Sequence, residues 1–115
     1  LIFSQRNPNN KYGHANIEKN KNYSVQGAIW KLSKEHEKTL DEYEAVNYNP
    51  PYYYKEYLLW RKKKVLVYIQ KIYTKKNPSS SYLHTIIKGY KDCNLNINFL
   101  KKTVKNYSVN YNINW

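Results

Sequence analysis

The sequence contains a single cysteine, and this scarcity excludes several kinds of chemistry. Cys93 has no partner for an internal disulfide and cannot build a cysteine-based metal site. A lone thiol also suits a reducing compartment, which predicts a cytoplasmic protein. The three histidines, His14, His36 and His84, are too far apart for the ligand spacing of a metal site. We therefore expect no metal site.

Long apolar segments are missing as well. No run approaches the roughly 18–20 apolar residues of a membrane span, and no signal peptide is visible, so no membrane partner is predicted. Methionine is absent, and the chain opens with Leu1. These two features predict a fragment that lacks N-terminal residues.

Acidic side chains are in the minority. The 115 residues include 20 Lys and Arg against 8 Asp and Glu, a formal net charge of +12. Such a charge favours anionic partners such as nucleic acid, acidic lipid or an acidic substrate. Codon bias in an AT-rich genome would also enrich Lys, Asn, Ile and Tyr. The charge alone therefore leaves a functional and a compositional origin open.

The order of apolar and polar segments predicts a single α+β domain over residues 1–115. Three segments have the composition of strands, with an exposed RKKK turn between the second and the third: 25–32, 53–60 and 65–73. Three helices are predicted: one from Ser33 to about Tyr43, one capped by Ser79 or Ser80, and a short one beginning near residues 94–96. The tail, 106–115, is predicted to be an edge strand or an extended arm.

The acidic cluster in the segment TLDEYEAV offers a candidate for proton transfer. Glu44 falls at the carboxyl end of the first predicted helix, where the negative end of the helix dipole should raise the pKa of a carboxyl group. Asp41 and Glu42 are close in sequence and act in the same direction. A glutamate tuned in this way suits general acid–base catalysis. The alternative is that all three acids are solvated residues at the end of a surface helix.

Two longer motifs include or follow this cluster. VQGAIWKLSKEHEKTLDEYEAV joins an apolar segment, a short helix and the pattern L-D-x-x-E, and NPSSSYLHTIIKGYKDCNL begins with P-S-x-x-Y. Their order and spacing resemble the gamma-glutamylcyclotransferase-like family over roughly residues 12–104. The matching residues are Val25, Gly27, Trp30, Leu32, Leu40, Asp41, Glu44 and Val46, then Pro78, Ser79, Tyr82, Ile86, Gly89 and Leu95. The resemblance implies a small mixed β-barrel or sheet with short flanking helices.

The resemblance gives Glu44 the role of acid–base residue. It implies that the Glu44 carboxylate takes a proton from the α-ammonium group of a small gamma-glutamyl substrate, whose freed amine attacks the γ-carbonyl carbon. The same carboxyl group then protonates the leaving amine, and the products are 5-oxoproline and a free amine or amino acid. No cofactor takes part. The resemblance does not define the leaving group of the substrate. It also leaves the oligomeric state open, with a homodimer as one alternative.

Three tyrosines carry over from the family as substrate-binding residues. Tyr68 matches a tyrosine of the second strand, and Tyr82 matches the one in P-S-x-x-Y. Tyr54 is our choice among residues 52–54, because the Tyr-Lys step mirrors a frequent Tyr-Arg step there. Each ring could instead be a packed strand or helix residue. Asp41, which belongs to the motif, is interpreted as structural.

The chain departs from the family pattern at two places. Ala45 stands where the family has a glycine, which would be costly if that position requires a positive φ. The family also has a Y-G-S-N-type loop near its amino terminus that holds the substrate's carboxylate and oxyanion. This sequence has no such motif, since the segment KYGHAN, residues 11–16, contains Tyr-Gly but aligns with a later strand.

A second hypothesis treats the chain as a non-catalytic descendant of the same fold. Its basic surface would then bind RNA or another polyanion through phosphate contacts that do not depend on sequence. The candidate residues are Arg61, Lys62, Lys63 and Lys64, with Lys101, Lys102 and Lys105 as a second cluster. The alternative is that both clusters are ordinary solvated surface.

Overall fold

The computed structural model describes residues 1–115 and contains five strands and three helices. They are β1 (Ile2–Gln5), β2 (His14–Asn16), α1 (Lys34–Tyr43), β3 (Tyr54–Trp60), β4 (Lys63–Ile69), β5 (Thr74–Lys75), α2 (Ser80–Asp92) and α3 (Ile97–Val104). This content confirms the α+β class. The strands form two small antiparallel sheets, neither of which closes into a barrel. The chain divides into two compact units, Leu1–Ala28 with Tyr73–Trp115, and Ile29–Ile72.

The first unit contains the hydrophobic core. Its sheet has the order β2-β1-β5, with β1 antiparallel to both neighbours. These strands were not predicted, apart from the alignment of residues 11–16 with a strand, because they are too short to show an alternating pattern. The buried apolar side chains are Phe3, Leu83, Ile87, Tyr90, Leu100 and Val104.

Helices α2 and α3 begin as the sequence predicts. The Ser79 side chain accepts a hydrogen bond from the Tyr82 backbone N–H, and Asn96 caps α3 through the N–H of Asn98. Each cap satisfies a backbone donor that has no partner within its helix. The predicted apolar stripe of α2 is confirmed, because Leu83 and two later members of the stripe are buried.

The C-terminal tail packs against the core of the first unit. No strand includes residues 106–115, yet Tyr107, Val109, Tyr111 and Ile113 are partly buried against the core. The Tyr111 hydroxyl donates to the carbonyl of Pro78 at 2.7 Å. The tail is therefore held by alternate side chains and not by a backbone ladder.

The second unit consists of α1 and the β3–β4 hairpin. Ser33 and His36 form a capping box at the start of α1, as the predicted N-cap requires. The hairpin pairs Tyr54 with Ile69 at its open end and Trp60 with Lys63 at its tip. The predicted RKKK turn is shorter than expected, because its last two lysines belong to β4, and β4 ends at Ile69 where the prediction continued to 73.

One predicted strand is wrong. Residues 25–32 form no regular element, and most of their apolar side chains are exposed, Trp30 by 74%. A β-strand requires a neighbour for its backbone hydrogen bonds, and the composition of a segment does not show whether one exists. The apolar run therefore indicated a buried strand where the fold supplies no pairing.

Candidate functional site

Glu44 lies at the C-cap of α1 and is half-buried. Its backbone N–H donates to the Leu40 carbonyl at 2.8 Å. The next two residues close the helix: the Ala45 N–H donates to the carbonyl of Glu42 and the Val46 N–H to that of Asp41, both at 3.1 Å. These two bonds make a Schellman motif. The backbone that carries Glu44 is thus fixed by hydrogen bonds on both sides.

Ala45 adopts a backbone conformation that glycine reaches more easily than alanine. Its φ is 52°, in the left-handed region, where a Cβ is unfavourable. The Ala45 carbonyl also accepts a hydrogen bond from the N–H of Tyr52 at 3.1 Å, which returns the chain toward β3. The position therefore requires a positive φ, and alanine occupies it at a cost.

Asp41, one helical turn before Glu44, is the centre of a polar network. The Tyr68 hydroxyl donates to Oδ1 of Asp41 at 2.7 Å. The Lys55 ammonium contacts Oδ2 of Asp41 at 3.2 Å and Oε2 of Glu37 at 2.6 Å. Lys55 and Tyr68 are directly opposite across the β3–β4 ladder, so one face of the hairpin supplies both partners.

The two carboxyl groups of this helix end have pKa values that are shifted in opposite directions. The hydrogen bond from Tyr68, helped by Lys55, lowers the pKa of Asp41. Burial raises the pKa of Glu44. The direction agrees with the one expected for Glu44, but its cause is burial, where the sequence suggested the helix dipole and the neighbouring acids. Carboxyl groups whose environments push their pKa values apart are suited to different roles.

The charges of the Asp41 and Glu44 carboxylates both act on Tyr68. Burial raises the pKa of its hydroxyl, and the hydrogen bond to Asp41 and the charge of Glu44 raise it further. Tyr68 therefore stays protonated and acts as a hydrogen-bond donor. Among the predicted substrate-binding tyrosines, it is the one whose contacts connect it to the acidic helix end.

Tyr54 lies on the other face of the hairpin. Side chains alternate along a strand, and Tyr54 precedes Lys55, which faces Asp41. The Lys71 ammonium lies 5.0 Å from the centre of the Tyr54 ring and makes an ion pair of 2.7 Å with Glu56. The structure does not bring Tyr54 and Tyr68 to the same face.

Tyr82 belongs to the first unit and begins helix α2. Its hydroxyl accepts a hydrogen bond from the Ala15 backbone N–H at 2.9 Å, and its ring contacts that of His14 at 5.2 Å. These contacts join α2 to strand β2. In this position Tyr82 has a packing role, and substrate binding by it stays a prediction.

Lys55 and Glu37 are parts of the network that sequence reasoning missed. A signal was present, because Glu37 and Asp41 are four residues apart on a helix and therefore face the same side. Two carboxylates at that spacing repel each other, and a cation between them offsets the repulsion. The lysine that fills this place comes from a strand, and its position could not be read from the helix.

Comparison of the chain with family models, with curated proteins and with solved structures found no match. No group of three His, Cys, Asp or Glu side chains is placed to hold a metal ion. None of the three helices is both long enough and apolar enough to cross a membrane.

Proposed function

We propose that the chain is a gamma-glutamylcyclotransferase-like enzyme in which Glu44 moves the proton. The observation that carries this proposal is the half-buried position of Glu44 at the end of α1, without the hydrogen-bonding partners that hold Asp41. Asp41 is held as a carboxylate by Tyr68 and Lys55, so it is a poor proton carrier. Glu44 has no such partner and a raised pKa, which brings it closer to the working pH of a general base.

Cyclisation of the substrate requires one group that accepts and donates a proton. Glu44 as the carboxylate takes a proton from the α-ammonium group of a gamma-glutamyl substrate. The amine nitrogen forms a bond to the γ-carbonyl carbon, closing a five-membered ring, and the bond from that carbon to the leaving nitrogen breaks. The carboxyl group gives its proton to the leaving nitrogen, and the ring nitrogen loses its second proton to water as it becomes the lactam amide. Ring closure within one bound molecule makes the attack effectively intramolecular, so positioning supplies much of the rate.

Two further features support the proposal. The φ of 52° at Ala45 agrees with the glycine that the family motif has there, because glycine adopts this conformation freely. The Schellman motif then holds Glu44 in place at the helix end. The specific family fold and the substrate belong to the proposal and rest on the resemblance of the motifs.

The test is release of 5-oxoproline from a gamma-glutamyl dipeptide by the full-length protein. We expect Glu44→Gln to abolish release and Glu42→Gln to retain it. Glu42 is a matched control, because it is on the same helix end but exposed. Inactive wild-type protein would overturn the enzyme assignment, and an active Glu44→Gln variant would overturn the role of Glu44.

The pH dependence gives a second measurement. The value of kcat/KM should rise with pH as Glu44 loses its proton, and the midpoint of that limb should lie above the ordinary glutamate pKa of 4.5. A limb at or below that value would mean that another group carries the proton.

A further inference from the structure

The tip of the β3–β4 hairpin combines cations with exposed rings. Arg61 and Lys62 form a two-residue turn, and two more lysines begin β4. None of these four cations makes an ion pair, and no Asp or Glu occurs between residues 57 and 91. The tip is therefore a concentrated positive charge with no internal neutralisation.

Each face of the tip places a cation beside an aromatic ring. The Arg61 guanidinium carbon lies 4.5 Å from the centre of the Trp60 ring, and the Lys64 ammonium lies 5.3 Å from that of Tyr57. Trp60 is 45% exposed and Tyr57 is 53% exposed. They are three residues apart on one strand, so they lie on opposite faces. Both faces thus offer an exposed ring with a cation over it.

The backbone of the turn makes this arrangement costly. Arg61 has a φ of 47° and Lys62 a φ of 64°. Two-residue hairpin turns of this kind favour Asn-Gly, because those residues reach positive φ with little strain. Two strained positions are here occupied by long cationic side chains. Local strain that persists in this way points to a use for the side chains.

We infer that the hairpin tip, residues 57–64, binds single-stranded nucleic acid. A nucleotide offers a phosphate to a cation and the face of a base to a ring, and the pairs Trp60–Arg61 and Tyr57–Lys64 offer the complement. A duplex keeps its bases stacked inside, so its base faces cannot reach these rings. The inference concerns a surface other than the Glu44 site and does not depend on the proposed enzyme activity.

An anionic membrane fits this geometry less well. Phosphates lie at the surface of a bilayer and the hydrocarbon lies deeper, so a membrane-binding tip would carry its apolar groups foremost. In this hairpin the cations of the turn are foremost, and the exposed Leu59 and Trp60 are behind them. The order of charges and rings therefore favours nucleic acid.

The experiment measures binding of a labelled single-stranded oligonucleotide of about 12 residues by fluorescence anisotropy over a range of salt concentrations. Replacing Arg61, Lys62, Lys63 and Lys64 with Gln should reduce the slope of log K against log salt by about 3, since each lost phosphate contact contributes about 0.7. A control variant loses the same number of charges at exposed lysines that make no ion pair: Lys19, Lys21, Lys31 and Lys34. It should change the slope by less than about 1.

The ring contribution is tested at Trp60. Trp60→Leu should weaken binding about five- to a hundredfold, and Trp60→Phe should restore most of it, because phenylalanine still stacks. Circular dichroism would verify that each variant remains folded. Comparing DNA and RNA oligonucleotides of the same sequence shows which of the two single-stranded nucleic acids binds more tightly.

Several outcomes would overturn the inference. An equal loss in the control variant, or in a variant lacking Lys101, Lys102 and Lys105, would mean that general charge and not the hairpin drives binding. Equal binding of a duplex with no effect of Trp60→Leu would exclude stacking. Hairpin-dependent binding to phosphatidylserine vesicles that exceeds binding to oligonucleotides would assign the tip to a membrane instead.

Discussion

The hydroxyl of Tyr68 donates a hydrogen bond of 2.7 Å to Oδ1 of Asp41 and so joins strand β4 to the last turn of α1. No apolar residue in the second unit, residues 29–72, is fully buried. Its helix and hairpin are instead joined by polar contacts at partly exposed side chains. The stability of this unit should therefore respond to single polar substitutions and to pH.

Tyr68→Phe should destabilise the protein by about 1 kcal/mol, because it removes the hydrogen bond to Asp41 and keeps the ring. Urea denaturation measures the change. Tyr54→Phe is the control, since that ring lies on the other face of the hairpin and its hydroxyl has no protein partner. An effect of Tyr54→Phe as large as that of Tyr68→Phe would contradict the network.

Asp41 should make the protein sensitive to acid. Its pKa in the folded state lies below the ordinary value of 3.8, so its contribution to stability is complete above that value and is lost as pH falls through the folded pKa. Asp41→Asn should flatten the fall of the unfolding free energy below about pH 4. An unchanged acid limb in this variant would show that the lowered pKa contributes no stability.

Glu44 should have the opposite linkage. Its pKa in the folded state is raised above 4.5 by burial, so its ionised form is disfavoured in the folded protein. Stability from the protonated group is present below that value and is lost as pH rises through the folded pKa. Glu44→Gln should therefore be more stable than the wild type at neutral pH in urea denaturation. A destabilised variant would mean that the carboxylate has a structural partner.

Ala45→Gly should stabilise the protein by about 0.5–1 kcal/mol. Glycine relieves the strain of a φ of 52° but adds some entropy to the unfolded chain, so the gain is smaller than the full cost of the left-handed conformation. Thermal unfolding measures it. A loss of stability would contradict backbone strain at Ala45.

Gly13→Ala should destabilise the first unit by about 1–3 kcal/mol. A Cβ at this position would lie 2.4 Å from the carbonyl oxygen of Lys76 and 3.0 Å from the backbone nitrogen of Ser4. Both are backbone atoms, and the Gly13 N–H already donates to the Asn77 carbonyl at 2.9 Å. Gly27→Ala is the control, because nothing lies within 4 Å of its added Cβ, and the unfolding free energies of the two variants should differ clearly.

The helices show which structural features the local sequence determines. Ser33 and Ser79 cap helices where the sequence places them, and the stripe of α2 is buried as its period predicts. Caps and periodicity are interactions between residues a few positions apart, so they can be read from the sequence. Residues 25–32 show the limit, because a strand depends on a partner that is distant in the chain.

In the candidate site, too, local features follow from the sequence and long-range contacts do not. The sequence by itself determined that Ser33 caps a helix and that Glu44 lies at the carboxyl end of that helix, since both are local features. Only the tertiary structure decided that Lys55 and Tyr68 meet at Asp41 and not at Glu44. That choice depends on the register of a hairpin, in which a shift by one residue would turn both side chains to the other face.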